Sequence, residues 1–229
     1  MGYIDLDKRM ARLILLQRIE LASPILVKIR KSLGRYLFTN LISKYFISTK
    51  SINLRYYELM KKEYSLLKEY IDFQNKEILS IGAGMCGLEL IINYKSNNSI
   101  FTIIEKNYVS KKVKYGWDEK NNEAYNNLKI LKYFLEKNGM KNNFKIFDFD
   151  KDNLPIKKFD IIISLYSLDY HYDFSNYFEY LKKVSSDRTK IIFDSVRPEY
   201  FKKLFQNVEI ISSDQKSIHA SKRIICNKF

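Results

Sequence analysis

The chain is poor in the residues that mark whole classes of protein. It has two cysteines, three prolines, seven glycines, two histidines and one tryptophan in 229 residues. Cys86 and Cys226 cannot build a disulfide framework or a CxxC zinc site, so both are expected to stay reduced. So little proline and glycine excludes collagen, proline-rich linkers and low-complexity arrays, and no internal repeat is visible. Apolar runs such as Leu13 to Leu16 fall far short of the roughly 20 residues that span a bilayer. Asp5 and Asp7 stand where a signal peptide carries positive charge, and Leu6 stands where a myristoylation signal needs Ser or Thr. A cytoplasmic protein with no transmembrane span is expected.

What is present is an ordinary globular composition, 46% hydrophobic and 15% aromatic, long enough for one sizeable core. The net charge of +14 is uneven, because residues 1–50 hold ten Lys/Arg against three Asp/Glu. That segment suits an anionic neighbour, whether nucleic acid, an anionic membrane surface or a phosphorylated small molecule.

From residue 76 onward, short β-rich runs alternate with helical periods, which predicts a βαβ sheet. The strands read as Glu77–Ile81, Ile100–Glu105, Phe144–Phe147, Asp160–Leu165, Lys190–Asp194, Val208–Ser212 and Ser221–Cys226. Helices are predicted over Asn122–Asn138, with Ala124, Leu128, Leu131 and Leu135 on one face and Gly139 as the stop, and over Asp173–Val184, capped by Asp173. A third starts at Pro198 and buries Phe201, Leu204 and Phe205. Only eight residues separate the last two strands, so they must form a hairpin, and at least one of them runs antiparallel to the rest.

Residues 1–72 differ in kind. Leu13, Leu16, Ile19, Leu26, Ile29, Leu33 and Leu37 keep helical spacing, Pro24 separates two helices, and Tyr56 to Tyr70 gives another amphipathic stretch. The sequence divides into a basic helical arm or cap, 1–72, and a ligand-binding domain, 73–229. Packing of the arm on that domain is preferred to a membrane-surface role, which its basic amphipathic character also permits.

The first predicted strand runs into Ser80-Ile81-Gly82-Ala83-Gly84-Met85-Cys86-Gly87 and then a helix. A strand before and a helix after give this GxGxxG the context it needs. Gly82 permits the tight turn, and Gly84 lets a ligand approach the backbone. Glu105, 23 residues past Gly82, ends the second strand where a carboxylate meets a ribose diol; the alternative is a solvated strand-end acid. After the fourth strand comes Ser164-Leu165-Tyr166-Ser167-Leu168-Asp169-Tyr170-His171-Tyr172-Asp173. A neutral imidazole at His171 can take a proton from a hydroxyl, with Asp169 as the alternative base. The competing role for His171 is capping the next helix or packing between the neighbouring tyrosines. His219 falls in the terminal hairpin, away from this edge.

These residues resemble the class I S-adenosylmethionine-dependent methyltransferases over roughly 76–229, including the seven-strand order ending in a hairpin. The resemblance implies that Gly82, Ala83 and Gly84 hold the methionine and ribose end of S-adenosylmethionine and that Glu105 binds the ribose hydroxyls. It also implies an acid for the adenine amine, Asp150 in Asp150-Lys151-Asp152-Asn153-Leu154-Pro155, with Asp148 as its competitor. Ser80, Lys106, Ser164 and Leu165 complete the implied cofactor set. The chain departs from the pattern twice, with Ser80 in place of an acid and Cys86 in place of the third close glycine. A nicotinamide dinucleotide would share the glycine turn and Glu105, but that reading lacks the hairpin and needs a second substrate domain.

No proline stands in the post-strand-four string, which argues against base N-methylation of the Asn/Asp-Pro-Pro type. Asp169 with Asp194 offers two hard oxygens for a metal, yet two strand-end acids are more often structural, and no metal is expected. The connection after Glu105, with Lys111, Lys112, Lys114, Tyr115, Gly116 and Trp117, and the Ser-Leu-x-Ser-x-x-x-His-Tyr string look like a bacterial subgroup described as sugar O-methyltransferases. The expected acceptor is therefore a hydroxyl on an anionic or sugar-containing small molecule. RNA methylation using the basic arm, or a cofactor-fold binding module without catalysis, are the rivals. Removing residues 1–50 is expected to leave cofactor binding measurable, because the glycine turn, Glu105 and Asp150 lie beyond them.

Overall fold

A computed structural model describes residues 4–96, 98–110, 124–170, 172–213 and 220–229. The described residues group into two compact units. One lies within Met1–Phe73, Gly84–Asn97 and Lys106–Asn142, the other within Gln74–Ala83, Asn98–Glu105 and Asn143–Phe229. The residues of the arm therefore share a unit with two later segments.

The second unit holds a seven-stranded sheet: β1 Glu77–Ile81, β2 Ile100–Glu105, β3 Phe144–Asp148, β4 Ile161–Ser164, β5 Lys190–Ser195, β6 Asn207–Ser213 and β7 Lys222–Asn227. The spatial order is β3-β2-β1-β4-β5-β7-β6. The first five pair in parallel, and β7 pairs antiparallel with both β5 and β6, so the sheet ends in the hairpin that the short connection demanded. Every residue of β4, Ile161 to Ser164, is buried, as a central parallel strand covered on both faces requires. The strand order reverses at β1/β4, the place where α/β sheets open a ligand crevice beyond their carboxyl ends. The register of β6 on β7 shifts between Ile210 and Ser212, leaving Ile211 as the extra residue of a bulge.

The core of this unit gathers Leu79, Ile104, Ile162, Leu181, Phe193 and Ile224. Aromatic rings fill one end of it, with Phe174 and Phe193 centroids 5.4 Å apart and Phe193 and Phe201 edge-on at 4.8 Å. Among the described residues two helices complete it. One, Ser175–Val184, starts two residues later than predicted, with Phe174 buried just before it and Asp173 still accepting the Ser175 N–H at 2.9 Å. The other, Pro198–Phe201, is a single turn; Phe205 beyond it is buried but Leu204 only half so.

In the first unit the chain runs through α1 Lys8–Gln17, a 3₁₀ turn at Ile19–Leu21, α2 Pro24–Leu37, a π turn at Phe38–Ile42, α3 Ser43–Tyr45, α4 Thr49–Leu67, α5 Gly87–Lys95 and α6 Leu128–Lys137. The helices of the sheet unit are accordingly α7 Ser175–Val184 and α8 Pro198–Phe201. Asp7 caps α1 by accepting the Met10 N–H at 2.9 Å, and Met10, Leu13, Ile14 and Leu15 are buried. The expectation of a buried apolar face holds for α1 and for α4, whose Ile52, Tyr56, Met60 and Leu67 are inside. It fails for α2: Leu33 and Leu37 are exposed, and Gly34, at φ 77°, breaks the helix between them. Among the described residues no helix is long and apolar enough to cross a membrane.

The helix predicted from Asn122 begins only at Leu128. Ala124 lies outside it, because Tyr125 pairs as an antiparallel bridge with Val109 and Asn127 supplies the cap by accepting the Ile130 N–H at 3.0 Å. Its end is as expected, with Gly139 at φ 93° and the Met140 N–H returning to Leu135 O at 3.0 Å. Asn138 then clasps the N-terminal segment, its side chain accepting from Asp5 N at 2.7 Å and donating to Asp5 O at 3.1 Å.

Candidate active site

At the carboxyl ends of the strands, Gly82 leaves β1 at φ 64° and donates its N–H to Ile104 O at 3.0 Å. A Cβ at Gly82 would stand 2.1 Å from Ser167 Oγ, so both the turn and the close pass of the post-β4 segment require glycine. Ser164 serves that segment too. Its hydroxyl donates to Ile81 O at 2.8 Å and accepts the Leu168 N–H at 3.1 Å, tying the end of β4 to the end of β1. Ser80 is fully buried, and its hydroxyl has no hydrogen-bond partner in the described structure.

Glu105 and Asp148 are register partners at the ends of β2 and β3, and both are nearly buried. The Asp148 carboxylate turns back on its own loop and accepts the Asp150 N–H at 3.2 Å, while the Asp148 N–H donates to Asp152 at 2.7 Å. Asp150, two residues on, is exposed. Tyr177 of α7 lies against Phe149, ring centroids 5.4 Å apart. Burial, with Glu105 and Asp150 adding to it, pushes its phenol well above the ordinary tyrosine range. Two carboxylates that can accept, an apolar ring and a strand-end turn suit a nucleoside whose diol and exocyclic amine donate, so these residues fit such a group.

The second half of the glycine turn has its own supports, which the sequence pattern did not disclose. The Met85 N–H donates to Gln17 Oε1 at 3.1 Å, Gln17 Nε2 donates to Tyr125 O at 2.7 Å, and Asn126 Nδ2 donates to Gly84 O at 2.9 Å. A Cβ on Gly84 would meet Gln17 Oε1 at 2.6 Å. The open approach expected at Gly84 is thus covered by the end of α1, a flexible side chain rather than backbone. Because Gln17 belongs to the arm, the expectation that cofactor binding survives removal of residues 1–50 no longer follows. Cys86, buried at φ 54°, takes the left-handed position at the head of α5, so the missing glycine changes the residue and not the geometry. The close-packing glycine is Gly87, whose Cβ would stand 2.3 Å from Tyr56 Oη and whose N–H donates to that oxygen at 2.9 Å. Lys106 is buried at the start of the connection.

Beyond β4, Asp169 is fully buried at φ 56°. It accepts from Ser195 Oγ at 2.6 Å and from Arg197 Nε and Nη2 at 3.0 and 2.6 Å, and Arg197 also reaches Asp173 at 3.0 Å. With both oxygens engaged, Asp169 holds the segment in place and is poorly placed to take a proton from an acceptor. For Asp173 partial burial opposes ionisation, but the Ser175 N–H and Arg197 outweigh it and hold the carboxyl below its ordinary range. Asp194 faces Arg223 in the same manner, so the two acids weighed as metal ligands each answer a guanidinium. Asp194 also accepts the Tyr166 N–H at 3.0 Å; the Tyr166 ring stands edge-on to Tyr170 at 5.4 Å and under Arg223 at 5.5 Å. Leu165 is half-buried beside them. His171, His219 and the Lys111, Lys112, Lys114, Tyr115, Gly116 and Trp117 cluster lie outside the described residues.

Burial pushes the Cys226 thiol up, and Cys86 is equally inaccessible. Neither is expected to react with iodoacetamide in the native protein within the time that denatured protein is fully labelled. Mass spectrometry of the two samples checks this, and rapid native labelling of either residue would contradict the packing described.

No protein-family model matches the sequence, and no curated protein matches it. Solved structures do share its architecture. A methyltransferase from Pyrococcus furiosus is 18% identical, covers 74% of this chain and 82% of its own, and superposes with a TM-score of 0.51. A provisionally named O-methyltransferase from Nostoc punctiforme PCC 73102 is 12% identical over 96% of this chain and 71% of its own, also at 0.51. At such identities the likeness carries architecture alone, and with the strand order and terminal hairpin it establishes that the chain has the Rossmann-like methyltransferase fold.

Proposed function

We propose that the protein is an S-adenosylmethionine-dependent methyltransferase acting on a hydroxyl of a sugar, a glycoconjugate or another anionic small acceptor. The observation that carries the reading is the pairing of Glu105 with Asp148 at the ends of β2 and β3, next to the glycine turn at the switch point of the sheet. In this reading Glu105 accepts from the ribose hydroxyls, Asp150 from the adenine amine, and Ser80, Gly82, Ala83, Ser164 and Leu165, with Gly84, Lys106 and Asp148, shape or support the cofactor's place. In this reading residues 73–229 carry the groups that touch the cofactor, and the arm, 1–72, supports the glycine turn through Gln17.

When bound, the cofactor supplies a methyl group on a sulfonium, which is electrophilic without further activation. The work left to the chain is alignment, worth up to roughly 7–11 kcal/mol, and removal of the acceptor proton. Tyr166 and Tyr170 offer faces and edges against which a sugar ring can lie. Asp169, Arg197 and Ser195 fix the loop that carries them. His171 would take the proton that the acceptor hydroxyl gives up.

Calorimetric titration with S-adenosylhomocysteine tests the reading. Binding is expected, with Glu105→Ala weaker by ten-fold or more, about 1.4 kcal/mol, since the diol loses a charged acceptor. Unchanged affinity in that variant removes Glu105 from the site. A nicotinamide dinucleotide binding more tightly than S-adenosylhomocysteine overturns the proposal.

A further inference from the structure

Residues 21–57 contain seven Lys/Arg and not one Asp or Glu. The same stretch carries large apolar side chains that nothing in its unit covers: Ile25, Tyr36, Tyr45 and Phe46 are 61–70% exposed, and Leu33, Leu37 and Leu41 a little under half. Lys28, Lys31, Lys44 and Lys50 are exposed among them. A hollow of about 390 Å³ lined by Leu21, Ile25, Leu26, Ile29, Ile42 and Phe46 lies in the same segment, so this apolar surface is not backed by a filled core. Exposed apolar area of this extent marks a surface that meets something.

We propose that residues 21–57 dock the protein on an anionic lipid bilayer, the lysines on the headgroups and the apolar side chains in the acyl boundary. Charge selects this occupant. A second copy of the chain would bring seven cations against seven with no acid to answer them. A nucleic acid would satisfy the lysines but offer nothing to Ile25, Leu33, Leu37 and Leu41, whose aliphatic groups gain only on leaving water. An anionic bilayer answers both, through headgroup attraction at the surface and apolar burial beneath it. The inference is independent of the methyl-transfer reading, since it concerns where the chain sits and not what it transfers.

The test uses the full chain in co-sedimentation with vesicles of phosphatidylglycerol and phosphatidylcholine in equal parts, or of phosphatidylcholine alone, at physiological salt. Strong binding to the first and little to the second is expected. Lys28→Glu with Lys31→Glu and Lys44→Glu should weaken it on the order of a hundred-fold, at about five-fold per lysine. The same charge change at Lys182, Lys183 and Lys203 should alter it less than about ten-fold, through net charge alone. Leu33→Ser with Leu37→Ser leaves the charge untouched and replaces exposed residues, so it should keep the thermal midpoint and lose several-fold in binding. Equal binding to neutral vesicles, equal loss in the two lysine sets, or no loss in the leucine variant each overturns the proposal. Capture of polyuridylic acid by a chain that ignores vesicles would assign the surface to nucleic acid instead.

Discussion

Asp194→Ala is expected to lower stability by about 3–5 kcal/mol, because it removes the buried carboxylate that the buried Arg223 guanidinium faces. The two residues face each other across β5 and β7, joined by Nε–Oδ1 and Nη2–Oδ2 contacts of 3.1 and 3.2 Å, each side chain 4% exposed. Asp194 also holds the Tyr166 N–H, so the variant frees a backbone donor as well. At about 2–4 °C per kcal/mol for a chain of this size, the thermal midpoint should fall by roughly 10 °C. Replacing both partners, Asp194→Leu with Arg223→Met, should recover much of the loss, since the cost lies in the unpaired charge. The exposed Lys202–Glu199 pair provides the contrast: at 2.7 Å it is the shorter, yet Lys202→Ala should cost less than about 1 kcal/mol. A drop below about 1 kcal/mol in Asp194→Ala would show that the carboxylate is not what offsets the burial of Arg223.

His171→Ala is expected to reduce turnover at least about 100-fold with little change in cofactor affinity, within the range that general-base catalysis supplies. The sign of the pH dependence follows from the role. The base is neutral imidazole, so the wild-type rate is low below an ordinary histidine pKa of about 6.5 and rises through it, and the variant loses that transition. Asp169→Asn is the necessary comparison, but the ion pair with Arg197 changes how it is read. Loss of activity accompanied by a lower thermal midpoint reports a loosened loop. Only loss at an unchanged midpoint, with His171→Ala still active, would move the proton to the carboxylate. If neither substitution matters, the acceptor is a group that needs no base.

The sheet was legible because its signals are local. Buried parallel strands read as isoleucine runs, each predicted within one residue of its bounds, and the short link before β7 forced the hairpin. The glycine turn was legible for the same reason. What escaped were the partners that reach it from afar. Gln17 lies 68 residues from Met85 and 108 from Tyr125, and no periodicity links a helix-end glutamine to a turn. Nothing in the local sequence sets Arg197 and Arg223 apart from the other cations of a basic chain, yet each faces a buried carboxylate. The helix start at Asn122 failed through a competing local choice, since Ala124 fits a helical stripe equally well whether or not Tyr125 pairs with Val109. For α2 the pattern held and the burial did not, because spacing reports which residues share a face and not what covers it.

The bulge at Ile211 bears on how such a sheet stays apart from its neighbours in a concentrated solution. β6 is an outer strand, and an outer strand with regular spacing invites another chain to continue the ladder. The extra residue turns Ile211 inward to 8% exposure and shifts the spacing on either side of it. An approaching strand with ordinary spacing can match Asn207–Ile210 or Ser212–Ser213 but not both. The interruption that looks like a flaw in the pairing thus keeps the sheet finite.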